Sequence, residues 1–508
     1  MRKNAEKNAE KNAGPKTSRP LFRGNLRAGA SRFPTWAALA SAGLLALTAG
    51  CAIDPLTGKR SLALIPESQE IEMGKQAAAE TEASIGIVDN PALASYIEGI
   101  GKKLTANSER PNLPWTFKVA DDPVVNAFAL PGGPLFVTRG LLVHLTSEAQ
   151  LASVMGHETG HVTARHSVRQ MSKAQIAQLG LAIGMAVSDT FKQLGQLGMG
   201  GLQLLFLSYG RDDEREADDL GFRYAVANGW EVREMPGVFA TLKRVSAASG
   251  GQSIPDWMST HPSEDERIER IQKRIQETNP PAGKVGHDEL VAMTNGLVYG
   301  ADPRHGFFEG GVFKHPDLKL QLKTPAGWKT QNMSQAVVAQ SADGKAGFQM
   351  TVAKGATPDA ALQEFSTGNQ AVSNVKPVDL PLSSPGRAVN FSAKTDDGEV
   401  QGLAAFVSHQ GKTFQLLGIA PADAFAANEP ALRATMQSFA PLTEAAALAV
   451  QPARIKVISV PQATTLAALA PSYPSLPAAR LALINQLEPT APLTPGQKLK
   501  VVEGKVRE

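Results

Sequence analysis

The chain is poor in cysteine, with Cys51 alone in 508 residues, so no internal disulfide framework can form. Charged residues make up only 19%, too little for global disorder, while 43% apolar residues suffice for packed cores. Apolar runs as long as the ~18 residues of a membrane span are lacking, which excludes a multi-span membrane protein. An excess of either charge is also missing. The formal balance is 51 − 48 = +3, but residues 1–50 hold nine Lys/Arg and two Asp/Glu, which leaves 42 − 46 = −4 for the rest. A chain that is neutral to acidic after residue 50 has no electrostatic footprint for nucleic acid, and that class is excluded. The length suggests about three domains.

What is present begins with a leader. Residues 1–34 are basic and polar, with the repeat Lys3-Asn4-Ala5-Glu6, Lys7-Asn8-Ala9-Glu10. A short Ala/Leu/Gly-rich stretch, 36–49, follows Arg27 and Arg32, which is the layout of a signal peptide. It ends Leu47-Thr48-Ala49-Gly50-Cys51, which resembles a bacterial lipoprotein cleavage box with Thr48 where Leu is commonest. The resemblance implies that Cys51 becomes the lipid-bearing first residue, anchoring the protein to a membrane through more than one acyl chain. Ala52 in place of Asp implies the periplasmic face of a Gram-negative outer membrane.

The expected organisation is multidomain. A tether, 51–65, leads to a mainly α-helical region, 66–278, and Pro/Gly-rich punctuation opens a linker, 279–312. Residues 313–441 read as an antiparallel α+β domain, with strands near 318–322, 347–352 and 388–393. A hairpin joins 403–408 to 413–419, and helices fall near 358–365 and 422–439. Its His315-Pro316 start and Pro325-Ala326-Gly327-Trp328 turn resemble the PsbP/Mog1-type sandwich. Residues 453–503 read strand, helix, helix, strand. This β-α-α-β order, with Thr465-Leu466, Asn485 and Pro495-Gly496-Gln497, resembles a LysM module and implies a peptidoglycan partner. Pro461-Gln462-Ala463 stands where an acidic turn is usual in such modules, a departure that bears on glycan binding.

The chemistry sits in His157-Glu158-Thr159-Gly160-His161, an H-E-x-x-H motif. Ser147 and Gln150 form an S-x-x-Q capping box that starts the helix carrying it. His157 and His161, at i and i+4, project from one helix side and suit one tetrahedral zinc ion. Glu158 lies beside them, placed to accept a proton from the water that the metal activates. A third ligand is needed. Downstream, Glu214 and Asp218 are again i and i+4. The geometry puts Glu214 on zinc and Asp218 behind a ligand imidazole, with Glu216 pointing to the opposite side.

Four ordered motifs carry a closer resemblance: Asn126 to Gly140 (NAFALPGGPLFVTRG), the H-E-x-x-H helix, Glu214-x-x-x-Asp218, and Thr260-His261-Pro262. Over about 65–275 the chain resembles the HtpX and CAAX-prenyl-endopeptidase family, metallopeptidase family forty-eight. The resemblance implies a zincin-type fold and one zinc per chain, held by His157, His161 and Glu214 with Glu158 as the base. HtpX-type members carry transmembrane helices. Here 174–187 is too short and too interrupted by Gln to span, which points to a soluble lipoprotein branch. Two roles follow from it. The strand–turn–strand over 127–137, with Asn126, Ala127 and Phe128, offers an edge to an extended polypeptide substrate. His261 approaches the zinc as a resting cap or an oxyanion donor, supported by Arg267. His144, His166, His287, His305, His315 and His409 lack partners at ligand spacing and carry no expected chemistry.

The expected protein is a lipid-anchored periplasmic zinc endopeptidase acting on unfolded or misassembled envelope proteins. Alternatives from other classes are an inactive-peptidase chaperone or scaffold and a peptidoglycan-associated cell-wall protein.

Overall fold

The computed structural model describes residues 51–53, 60–62, 64–173, 209–248, 261, 264–368, 371–395 and 398–507. The expected leader, the segment 174–187, Thr260 and Pro262 lie outside the described residues. Among the described residues, no helix is long and apolar enough to cross a membrane.

Two helices, α1 (Glu67–Ile85) and α2 (Pro91–Ala106), open the helical region. Asn90 caps α2, its side chain accepting from Leu93 N, and Pro91 at the first position has no amide to lose. A small sheet follows, of β1 (Thr116–Ala120), β2 (Ala127–Ala129) and β3 (Pro134–Thr138). β3 is central, parallel to β1 and antiparallel to β2, which leaves β2 as an edge strand. The short helix α3 (Arg139–His144) leads into α4 (Glu148–Thr163), whose residues are buried without exception.

A helix buried on every side needs small residues where other backbones approach, and α4 supplies them. A Cβ on Gly156 would meet Gly221 Cα at 3.2 Å, and one on Gly160 would meet Ala217 O at 3.0 Å. Both contacts belong to α5 (Arg211–Ala227), so α4 and α5 touch backbone to backbone. Two further helices, α6 (Met235–Ala248) and α7 (Glu264–Thr278), pack on this pair.

The start of α4 is capped more fully than the sequence suggests. Ser147 Oγ accepts from Gln150 N as expected, but the Gln150 side chain accepts from Thr146 N, one residue earlier than a capping box requires. Val285 O and Gly286 O, from the segment expected as a linker, take the amides of Ala149 and Glu148. Within that segment lies a further helix, α8 (His287–Met293). Its backbone carbonyls satisfy orphan donors of α4, which is why the segment packs down.

Beyond it, β4 (Phe307–Glu309), β5 (Val312–His315) and β6 (Leu320–Lys323) form one antiparallel sheet, joined by Ala440–Pro441 at its edge. A second antiparallel sheet has seven strands. They are β7 (Lys329–Asn332), β8 (Ala336–Gln340), β9 (Gly347–Val352), β10 (Val372–Pro377), β11 (Gly386–Thr395), β12 (Gly398–His409) and β13 (Lys412–Pro421), in the order β10-β11-β12-β13-β9-β8-β7. The expected hairpin is β12–β13. Its turn residues Gln410 and Gly411 have φ of 49° and 73°, the sign that a two-residue hairpin loop demands. Helices α9 (Pro358–Thr367) and α10 (Phe425–Gln437) complete this region.

The C-terminal stretch pairs β14 (Arg454–Ser459) with β15 (Lys498–Glu503) around a single turn, Leu466–Leu469, and the helix α11 (Ala478–Ile484). The strand–helix–helix–strand order is present, but its apolar side is not a separate core. Ile455, Leu481 and Leu499 join the same cluster as Leu142, Leu145 and Val238 of the helical region. Lys500, fully buried, donates from Nζ to Val143 O at 2.5 Å and Leu145 O at 2.7 Å, and Gln486 donates to His144 O. These are carbonyls at the C-terminal end of α3, where a positive group is favoured.

Candidate metal centre

His157 and His161 lie one turn apart on α4, and the close approach of α5 sets Glu214 against both. The two Nε2 atoms are 2.9 Å apart, and Glu214 lies 3.5 Å from His157 Nε2 and 3.4 Å from His161 Nε2. His261 completes a buried quartet whose ligand atoms all fall within 4.8 Å of one another. Its Nδ1 is 2.9 Å from Glu214 Oε1 and 3.2 Å from His157 Nε2, and its Nε2 is 3.5 Å from Glu158 Oε1.

The rear of the site fixes the imidazoles. His157 Nδ1 faces Asp218 Oδ1 at 2.9 Å, and Arg267 holds that carboxylate from Nε and Nη2 at 2.9 and 2.7 Å. With Nδ1–H donating to Asp218, the His157 Nε2 lone pair points into the quartet. Arg267 Nη1 also lies 2.9 Å from Glu214 Oε2 and its guanidinium rests on the Phe239 ring. Tyr209 stacks on His161 with centroids 4.0 Å apart, and its hydroxyl is 2.8 Å from Ser167 Oγ.

The donor set fits zinc. The two imidazole Nε2 atoms lie close enough to share one cation, and Glu214 Oε2 is buried yet accepts no aligned hydrogen bond despite its proximity to Arg267. Electrostatics agree. Burial holds the His161 imidazole well below its usual value, against the pull of Glu214, so it stays neutral as a ligand must. Burial alone would raise the Glu214 carboxyl, but the charge of His261 first, then His161 and His157, hold it far below the carboxylate range. Asp218 is likewise lowered against its burial, chiefly by Arg267. His261 is raised against its burial by Glu214 and then Glu158.

The structure therefore brings together His157, Glu158, His161, Glu214, Asp218 and His261. Asn126, Ala127 and Phe128 lie at or next to β2, which packs against α4. Cys51 begins a three-residue strand, Cys51–Ile53. Spacing carried no sign of Tyr209. His166, assigned no chemistry from spacing, lies 2.7 Å from His161 Nδ1.

Residues 91–275 match the model of peptidase family M48. That family is zinc-dependent, and the buried group of His157, His161, Glu214 and His261 could hold a metal ion. The beta-barrel assembly-enhancing protease of Yersinia pestis is 29% identical over 257 residues, 49% of this chain and 52% of that protein. The mitochondrial metalloendopeptidase OMA1 of Arabidopsis thaliana is 35% identical over 166 residues, 33% of each chain. The chain spans about half the length, or less, of the curated relatives it matches. Among solved structures, the cyanobacterial PsbP of Synechocystis sp. PCC 6803 matches 26% of this chain and 91% of its own, at 10% identity and a TM-score of 0.21.

Proposed function

We propose that this protein is a lipid-anchored periplasmic zinc endopeptidase that cuts unfolded or misassembled envelope proteins. The observation that carries the peptidase reading is the buried convergence of His157, His161 and Glu214 beside Glu158. Zinc, when bound, supplies a Lewis acid that polarises the scissile carbonyl and acidifies the attacking water. His157, His161 and Glu214 would hold it. Glu158 accepts the proton of the attacking water and passes it to the leaving amine. Asp218 and Arg267 keep the His157 ring in the tautomer that presents Nε2. An extended substrate adds along β2 at Asn126, Ala127 and Phe128, an edge strand among the described residues, where strand pairing reads backbone and tolerates many sequences.

His261 acts in this reading as a resting cap, because it lies against Glu214 and Glu158. Cys51 carries the lipid and places the domain at the outer membrane, and the 453–503 segment is a LysM-like contact to peptidoglycan. The relatives named beta-barrel assembly-enhancing proteases support an envelope role.

Casein hydrolysis and zinc analysis, on the full chain and on Glu158→Gln, test the reading. The variant should keep its zinc and lose at least ~10²-fold in turnover, the lower end of what a positioned base contributes. A Glu158→Gln enzyme of near-normal rate would end the peptidase reading. His261→Ala should turn over faster or less selectively; a slower enzyme would make His261 an oxyanion donor instead.

A further inference from the structure

The ring of His157 is held from behind by a carboxylate, and the ring of His161 is held by a second histidine. His166 is fully buried, its Nδ1 is 2.7 Å from His161 Nδ1, and the rings meet nearly edge-on at 74°. Its far nitrogen, Nε2, is 3.1 Å from Glu216 Oε2, which Arg169 Nη2 also holds at 2.7 Å. We infer that His166 and Glu216 are positioning residues that relay a carboxylate to the back of His161, an inference that rests on the zinc-site reading above.

The direction of each hydrogen bond follows from the metal. His161 must keep the Nε2 lone pair free, so its proton sits on Nδ1 and is donated to His166 Nδ1. His166 then carries its own proton on Nε2 and donates it to Glu216. Every ring nitrogen in the relay has one consistent role. The reverse assignment would place a proton on His161 Nε2, inside the quartet, and forbid ligation.

Backbone geometry shows that this contact is built. In an uninterrupted helix, residues five apart point about 140° away from each other around the axis. His166 could not then reach the rear of His161. The helix is broken at Arg165, which has φ of 56°, a left-handed conformation that costs a residue with a side chain on the order of 1–2 kcal/mol. Its guanidinium fastens the bend, with Nε 2.9 Å from Glu70 Oε2 and Nη2 2.8 Å from Ile65 O. Arg110 Nη1 bonds both Glu70 and Val162 O, tying the end of α4 to the same carboxylate. The bend aims the following helical segment, 166–173, so that its first residue faces back to His161.

The cluster of His166, Asp213 and Glu216 also has the composition of a second metal site. Arg169 argues against one, since its guanidinium already lies between Glu216 and Asp213, at 2.7 and 3.2 Å. The local cation is a side chain.

Zinc affinity by chelator competition tests the relay, measured on the full chain together with the melting temperature of the metal-free protein. His166→Phe keeps a ring but no acceptor and should weaken zinc by roughly 10–100-fold, the usual loss when a group behind a ligand is removed. His166→Asn returns an amide oxygen near the Nδ1 position and should bind zinc more tightly than His166→Phe. Glu216→Gln, at the partly exposed end of the relay, should weaken zinc beyond what any change in the metal-free melting temperature accounts for, which a purely structural role would not do. Should His166→Phe fail to fold, Glu216→Gln decides alone. Parental affinity in either His166→Phe or Glu216→Gln, or equal loss in the Asn and Phe variants, overturns the relay. A parent chain without zinc instead overturns the metal-site reading itself.

Discussion

Gly221→Ala is the most informative single perturbation of the metal centre, because two effects of known size oppose each other there. In an open helix the change is favourable, as alanine is better than glycine by about 0.8–1 kcal/mol. At position 221 a Cβ would stand 2.8 Å from His157 N and 3.0 Å from Gly156 C, both backbone atoms that cannot turn aside. Ordinary contacts between such atoms are about 3.5–4.0 Å, so α4 and α5 must part by roughly 0.5–1 Å. Overpacking of this kind costs about 1–3 kcal/mol, which leaves a net loss of about 0–2 kcal/mol. Glu214 lies two helical turns before Gly221 on the same face, so it moves with that separation. Metal–ligand distances tolerate only about ±0.2 Å, and zinc affinity should fall at least ~10-fold. Gly99 of α2 is the control: apart from the backbone of its own helix and its chain neighbours, nothing lies within 4 Å of its added Cβ. Gly99→Ala should gain stability and leave zinc untouched. Urea denaturation and chelator competition on both variants decide the matter. A Gly221→Ala protein that gains stability as Gly99→Ala does, with unchanged zinc affinity, would refute backbone contact as the device that sets Glu214 on the histidines.

Other expectations concern the ligands, the C-terminal segment and the anchor. Glu214→Ala should no longer hold one zinc per chain by metal analysis, whereas Asp218→Ala should hold it roughly 10–100-fold more weakly. Burial pushes the Lys500 amine down to about 7, below its unfolded value of 10.5. The folded chain thus binds fewer protons than the unfolded one between those values, and stability relative to Lys500→Met should rise with pH by up to ~1.4 kcal/mol per unit. Urea titrations at pH 7 to 10 that show no such slope would mean that the ammonium is fully compensated by the Val143 and Leu145 carbonyls. Cys51→Ser should leave the membrane fraction on cell fractionation; a variant that still sediments with membranes would remove the lipid anchor.

The side chains that converge at the candidate metal centre were legible because the spacing of such groups shows in the sequence. His157/His161 and Glu214/Asp218 each repeat at one helical turn, and both pairs can be read directly from the order of residues. His166 was invisible for the opposite reason. Its approach depends on a left-handed residue at Arg165, and nothing in the residue type announces that conformation. The apolar run over 403–408, the apolar positions in 413–419 and the Gln410-Gly411 turn made β12 and β13 readable, whereas β7 has no buried residue and so no apolar pattern to read. The shared core of the 453–503 segment was hidden too. Periodicity reports which face of an element is apolar, not which distant element covers it.

The hydrogen bonds from Lys500 to Val143 and Leu145 span 357 and 355 residues of chain. A ribosome adding ~5–20 residues per second would need roughly 20–70 s to deliver the second partner after the first. For that whole interval the end of α3 and the start of the helix bearing the two histidines would lack their closing contact. The His157–His161 helix is thus synthesised roughly 20–70 s before the strand whose lysine closes the segment leading into it.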